Sequence, residues 1–124
     1  MKKMLFVIVF ALLLSPLSTC HAATHSVVLT WTPSTDGAAN PTLGYNLYRG
    51  TTAGGESSTP LNSSPVALAC TSTATCTYTD TTVGVGTYFY TCKAILNGAL
   101  SVASNEASTA ISPAPPGTLV ATPQ

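Results

Sequence analysis

Tyr88-Phe89-Tyr90-Thr91-Cys92-Lys93-Ala94-Ile95, closed by Asn97-Gly98 and answered from Leu100 onward, is the stretch that decides the fold. Tyr88, Tyr90, Cys92 and Ala94 alternate with Phe89, Thr91, Lys93 and Ile95. A period of two is the signature of a strand with unlike faces. Thr91 and Lys93 make the second set the wetter face, so the first set points inward. Asn97 and Gly98 both tolerate positive φ, which suits a two-residue hairpin turn. The return strand is expected from about Leu100 to Ile111.

The same period recurs upstream. Gly84 and Gly86 mark a turn, and a short strand is expected around Cys76 to Thr79. Tyr45, Leu47 and Arg49 alternate with Asn46 and Tyr48 up to Gly50. Val27, Leu29 and Trp31 alternate with Val28, Thr30 and Thr32. Between these strands, Pro33 to Pro41 holds the turn formers Asp36-Gly37 and Asn40-Pro41. Thr51 to Ser64 is rich in Gly, Ser, Thr and Pro and reads as a loop with at most a short edge strand. Short strands at regular spacing predict an all-β, antiparallel, two-sheet β-sandwich. Its predicted core is Leu29, Trp31, Tyr45, Leu47, Tyr78, Tyr88, Tyr90 and Ala94.

The chain divides into three segments. Met1-Lys2-Lys3 precedes the apolar run Leu5 to Leu14, and small residues follow at Ala22 and Ala23. This is the pattern of a signal peptide over residues 1–22. The run is far shorter than the roughly twenty residues that span a bilayer as a helix. Cleavage after Ala22 is one exit. Leu17-Ser18-Thr19-Cys20 also resembles a lipobox, with Thr19 where Gly or Ala is usual, so Cys20 is a candidate for lipidation. Residues 24–112 form the predicted domain, and residues 113–124 a Pro-rich tail or linker. The expected location is secreted, extracellular or at the cell surface.

Loss of the leader removes Lys2 and Lys3. Arg49 and Lys93 then face Asp36, Glu56, Asp80 and Glu106, a formal charge of −2. Nucleic-acid binding needs clustered Lys and Arg, so it is not expected. Anionic membrane surfaces are disfavoured for the same reason, leaving lipidation as the only expected membrane attachment. With 6% charged residues, the surface has little electrostatic defence against self-association.

Several motifs, taken in order, carry a family resemblance. They are Leu29-Thr30-Trp31, then Gly44-Tyr45-Asn46-Leu47-Tyr48-Arg49, then Tyr78-Thr79-Asp80 with Gly86-Thr87-Tyr88, and last Ser104-Asn105-Glu106-Ala107. Together they resemble the fibronectin type III domain over Thr24 to Ser112. They are similar to its second strand with the core tryptophan, its third strand, its fifth strand with the tyrosine corner opening the sixth, and the start of its last strand in many bacterial members. The resemblance implies an immunoglobulin-like sandwich used as a spacer or binding scaffold. Tyr90-Thr91-Cys92 mimics the immunoglobulin Tyr-x-Cys, but that family places a cysteine on the second strand and Trp on the third. Here those strands hold Trp31 and Tyr45. The sequence departs from the fibronectin pattern twice. The turn from Val83 to Tyr88 is one residue short, bringing Phe89 into contention for the corner, although the apolar face favours Tyr88. The first strand is nearly absent. Pro115 to Thr122 resembles the start of a following domain of the same family.

Export permits disulfides. Cys70 and Cys76 are the first candidate pair, Cys76 and Cys92 the second, and no bridge the third reading; an unpaired Cys92 is a buried small hydrophobe or the site of an intermolecular bridge. No cofactor or metal is expected, because His25 is isolated and the acids are scattered. No histidine lies beyond His25 to serve a nucleophile, and no deep cleft is expected beside two carboxylates, so the chain is not read as an enzyme. Asn62-Ser63-Ser64 fits a glycosylation acceptor, with an ordinary polar loop as its plainer reading. Tyr48 and Phe89, out of phase with the inward set, are the expected exposed aromatics and the candidate interface. The sequence therefore points to a non-catalytic interaction or adhesion module for an unknown protein or glycan. The alternatives are a surface subunit joined by strand exchange through Thr118 to Thr122, and a carbohydrate-binding accessory module.

Overall fold

The computed structural model describes residues 25–67 and 75–124. The leader, Cys20 and Cys70 lie outside the described residues. Among the described residues seven strands follow one another: β1 (His25–Trp31), β2 (Gly44–Gly50), β3 (Val66–Ala67), β4 (Cys76–Val83), β5 (Gly86–Leu96), β6 (Ala99–Leu100) and β7 (Ala107–Ile111). A single turn of 3-10 helix, Thr35–Ala38, sits in the turn-rich segment after β1, with Ser34 as its N-cap.

Two antiparallel sheets result, an arrangement compatible with a β-sandwich. One pairs β1 with β4; the other runs β3-β2-β5-β6, with β7 beside β6 on the same edge of β5. β5 is the organising strand because its eleven residues reach both ends of its sheet. Its N-terminal half pairs with β7, from Gly86 with Ile111 to Tyr90 with Ala107, and its C-terminal end pairs with β6. The predicted hairpin turn is present: Asn97 has φ 51° and Gly98 φ 83°. Gly has no Cβ to clash at such angles, and Asn tolerates them through its short polar side chain, which is why these two residues occupy the turn.

The expected continuous return strand is broken. Between β6 and β7 the chain stays beside β5 but changes its bonding. Ser101 and Ser104 donate their backbone N–H groups to the carbonyls of Ala94 and Cys92. In return the Ala94 and Cys92 N–H groups donate to the hydroxyls of Ser101 and Ser104, each at 3.0 Å. Side chains thus replace backbone carbonyls, and the ladder bulges outward. Val102, between the two serines, is 89% exposed.

The two sheets face each other through their inward sets. Leu43, Tyr45 and Cys76 are buried together, with Trp31, Val66, Cys92, Ala94 and Leu96 packed against them. Trp31 meets Tyr45 edge to face, with ring centroids 5.4 Å apart. Such a contact adds about 1 kcal/mol to the area it buries. Of the other predicted core residues, Leu47 and Tyr90 are buried. Leu29, Tyr78 and Tyr88 are half-buried.

The expectation that Tyr48 is exposed is corrected. Tyr48 is only 5% exposed, and Asn46 beside it only 8%. The reason is the excursion from Thr51 to Ser64, which folds back along the edge of β2 and brings Glu56, Ser57 and Ser58 beside Tyr48. Ser57 N–H donates to the Arg49 carbonyl and Leu61 N–H to the Leu47 carbonyl, holding the excursion along the strand. The Lys93 ammonium caps the Tyr48 ring at 5.1 Å. β2 is therefore covered on both faces, although its sequence alternates as a one-sided strand would.

Candidate functional site

Two constellations join the sheets, one polar and one apolar. The polar one is centred on Asp80, in phase with Cys76 and Tyr78 on β4. Arg49, in phase with Tyr45 and Leu47 on β2, approaches from the other sheet, and its guanidinium donates to the Asp80 carboxylate at 2.7 Å. The Tyr90 hydroxyl of β5 donates to the same carboxylate at 3.2 Å. The Thr82 N–H and hydroxyl donate to its second oxygen at 2.9 and 2.8 Å. Asp80 is 2% exposed, so burial alone would raise its pKa; the bonds from Thr82 and the charge and bond of Arg49 outweigh that and hold it below its ordinary value. Burial and the neighbouring Asp80 charge push Tyr90 up to about 12. A satisfied ion pair between strands of opposite sheets is a structural clasp.

Tyr88 opens β5 beside this clasp. Its hydroxyl accepts the Gly84 N–H at 3.1 Å, and its ring stacks under the Arg49 guanidinium at 5.3 Å. The tyrosine that ties the β4–β5 turn is therefore Tyr88. Phe89 is half-buried and pairs with Gly50 and Ser108 across the sheet.

The apolar constellation is a groove of about 730 Å³ between the sheets, open along one side of the molecule. One wall is β1, through Val27, Leu29 and Trp31; the floor includes Leu47 and Cys92; the far wall is the bulged 101–109 stretch. No lining residue carries a formal charge. Among the described residues, β1 pairs only with β4, so its other edge faces this opening. Trp31 also keeps its indole N–H buried with no acceptor. Cys92 is a free thiol there, and burial pushes its pKa up to about 11. Such a thiol is a weak nucleophile at neutral pH. A Cys76–Cys92 bridge is thus not formed, and Cys76 itself is not free.

Asn62, read as a glycosylation acceptor or plain loop residue, is neither exposed nor idle. It is 8% exposed; its carbonyl oxygen accepts the Leu47 N–H at 2.8 Å. Its amide donates to the carbonyls of Tyr45 and Ser64 at 3.0 and 2.8 Å. This side chain pins the covering excursion to β2. Sequence reasoning had no signal for it, because an Asn-Ser-Ser triplet is ordinary loop composition. The Arg49–Asp80 pair did leave one: opposite charges both stand in the inward phase of their strands. Among the described residues, no three of His, Cys, Asp and Glu gather closely enough to hold a metal ion.

The class that these features define is a small antiparallel all-β protein with an uncharged groove between its sheets. No protein-family model and no curated protein matches the chain.

Proposed function

We propose that this is a non-catalytic, exported interaction module that binds an extended polypeptide segment along β1. The observation that carries this reading is the uncharged groove lying beside an unpaired strand edge. An exposed edge offers a row of backbone donors and acceptors, and alternate side chains of an incoming strand fall into the cleft beside it. The far wall is a poorer template, because Ser101 and Ser104 turn its ladder into a bulge.

The fold reading that accompanies this proposal is fibronectin type III-like. The Tyr88 hydroxyl bonded back to Gly84, Trp31 in the core on the first described strand, and the order of strands in the two sheets support it. We also propose the Cys70–Cys76 bridge, supported by an engaged Cys76 beside a free Cys92.

A displayed library of uncharged, β-branched-rich peptides tests the binding reading. Bound peptides should protect the backbone amides of Val27 to Trp31 from hydrogen exchange, and Val27→Lys should abolish binding by placing a charge in the groove. A footprint elsewhere, or binding indifferent to Val27→Lys, would sink it.

A further inference from the structure

We propose that the segment laid along β1 is Thr118–Thr122 of a second copy of this chain. The inference rests on the binding reading above and names the partner for that site. Four observations carry it.

The first is chemical. Thr118-Leu119-Val120-Ala121-Thr122 is strand-forming and uncharged, as is the groove that would receive it. Its alternation sends Leu119 and Ala121 to one side, toward walls made by Val27, Leu29 and Leu47. The second is exposure. Leu119 is 95% exposed and Val120 73%, so the chain presents this apolar segment to water rather than to its own groove. The third is the indole N–H of Trp31, a buried donor with no acceptor on a residue that lines the groove.

The fourth is direction. His25 pairs with Val83, and Gly86 pairs with Ile111, while only Gly84 and Val85 separate β4 from β5. The start of β1 and the end of β7 therefore share one end of the molecule. β1 runs away from that end. A tail turning back into its own groove would have to run parallel to β1, a pairing less stable per residue than the antiparallel one. Pro113, Pro115 and Pro116 further favour an extended exit, about 3.1 Å per residue, over a reversal. A tail from another copy has no such constraint and can pair antiparallel. Because donor and acceptor are different surfaces, the contact is head-to-tail and builds open chains of copies unless a ring closes.

The test is native molar mass of the full chain by light scattering over a wide concentration range. The intact protein should form dimers and longer multiples that grow with concentration. Leu119→Asp, which would bury a carboxylate in the groove, should weaken self-association at least about tenfold. Val27→Lys, which spoils the acceptor, should do the same. Mixing these two variants should restore one-to-one dimers and nothing larger, since one keeps its groove and the other its tail. Circular dichroism checks that each is folded. If Val27→Lys is not, a peptide spanning residues 113–124 added to the Leu119→Asp chain should protect Val27 to Trp31 from exchange. Multiples that survive Leu119→Asp overturn the proposal, as does a monomer whose own tail is protected. A chain monomeric throughout whose β1 still binds library peptides overturns only the choice of partner. Failure of both overturns the binding reading as well.

Discussion

Asn62 shows how much one side chain can hold. It satisfies the Leu47 N–H and the carbonyls of Tyr45 and Ser64 where water has little access. Removing it leaves buried backbone groups unpaired, and each costs about 1–3 kcal/mol. Asn62→Ala is therefore expected to lower unfolding free energy by about 2 kcal/mol or more in urea titration. It should also expose Tyr48, seen as faster exchange of the β2 amides. A loss below a few tenths of a kcal/mol would mean the excursion is held by its backbone bonds alone. At this scale the sequence was legible where a residue's type dictated its geometry. Asn97 and Gly98 took the positive φ their chemistry allows, and Tyr88 rather than Phe89 tied the turn. It was not legible for Asn62, whose role depends on a strand fifteen residues away.

Elements show the same division. The alternation of β1 is preserved, with Val27, Leu29 and Trp31 less exposed than Ser26, Val28 and Thr30. The alternation of β2 misleads, because both its faces are covered. Periodicity reports what one strand offers, not what a later loop does to it. The excursion can lie so close only because β2 ends in Gly50. A Cβ there would press on the Gly55 carbonyl and the Glu56 nitrogen. Gly50→Ala is expected to cost about 1–3 kcal/mol through overpacking, with the loss localised to the 51–64 excursion in exchange measurements. Gly98→Ala, strained by its φ but facing open space, should cost only about 1 kcal/mol and leave the excursion untouched. Equal effects on the excursion from both would refute a specific close contact. The break in the return strand was invisible for a related reason: Ser101 and Ser104 are common in strands and loops alike, and only their position opposite Ala94 and Cys92 lets their hydroxyls stand in for carbonyls.

At the scale of the whole molecule, two sheets are closed at opposite ends by different means. Trp31, Tyr45 and Cys76 close one end with apolar contact, and Asp80, Arg49 and Tyr90 close the other with charge. The second responds to pH at both extremes. Folded Asp80 holds its proton less tightly than in the unfolded chain, so the unfolded state binds more protons as acid is added. Its contribution is complete above the unfolded carboxylate value of about 4 and fades as pH falls through the lower folded value. Tyr90 works in the opposite sense. Its pKa is raised to about 12, so its contribution is complete below its ordinary value of 10.0 and fades as pH rises towards 12. Cys92, raised to about 11, adds a loss that begins above its ordinary value of 9.0. Unfolding free energy against pH should therefore form a plateau that falls at both extremes. Asp80→Asn should lower the plateau by about 3 kcal/mol, because it leaves the Arg49 charge without its buried partner. It should also flatten the acid limb, while Cys92→Ala alters only the alkaline one. An acid limb unchanged in Asp80→Asn would show that the clasp does not govern acid stability. In that case the loss of plateau stability alone would measure what the clasp contributes.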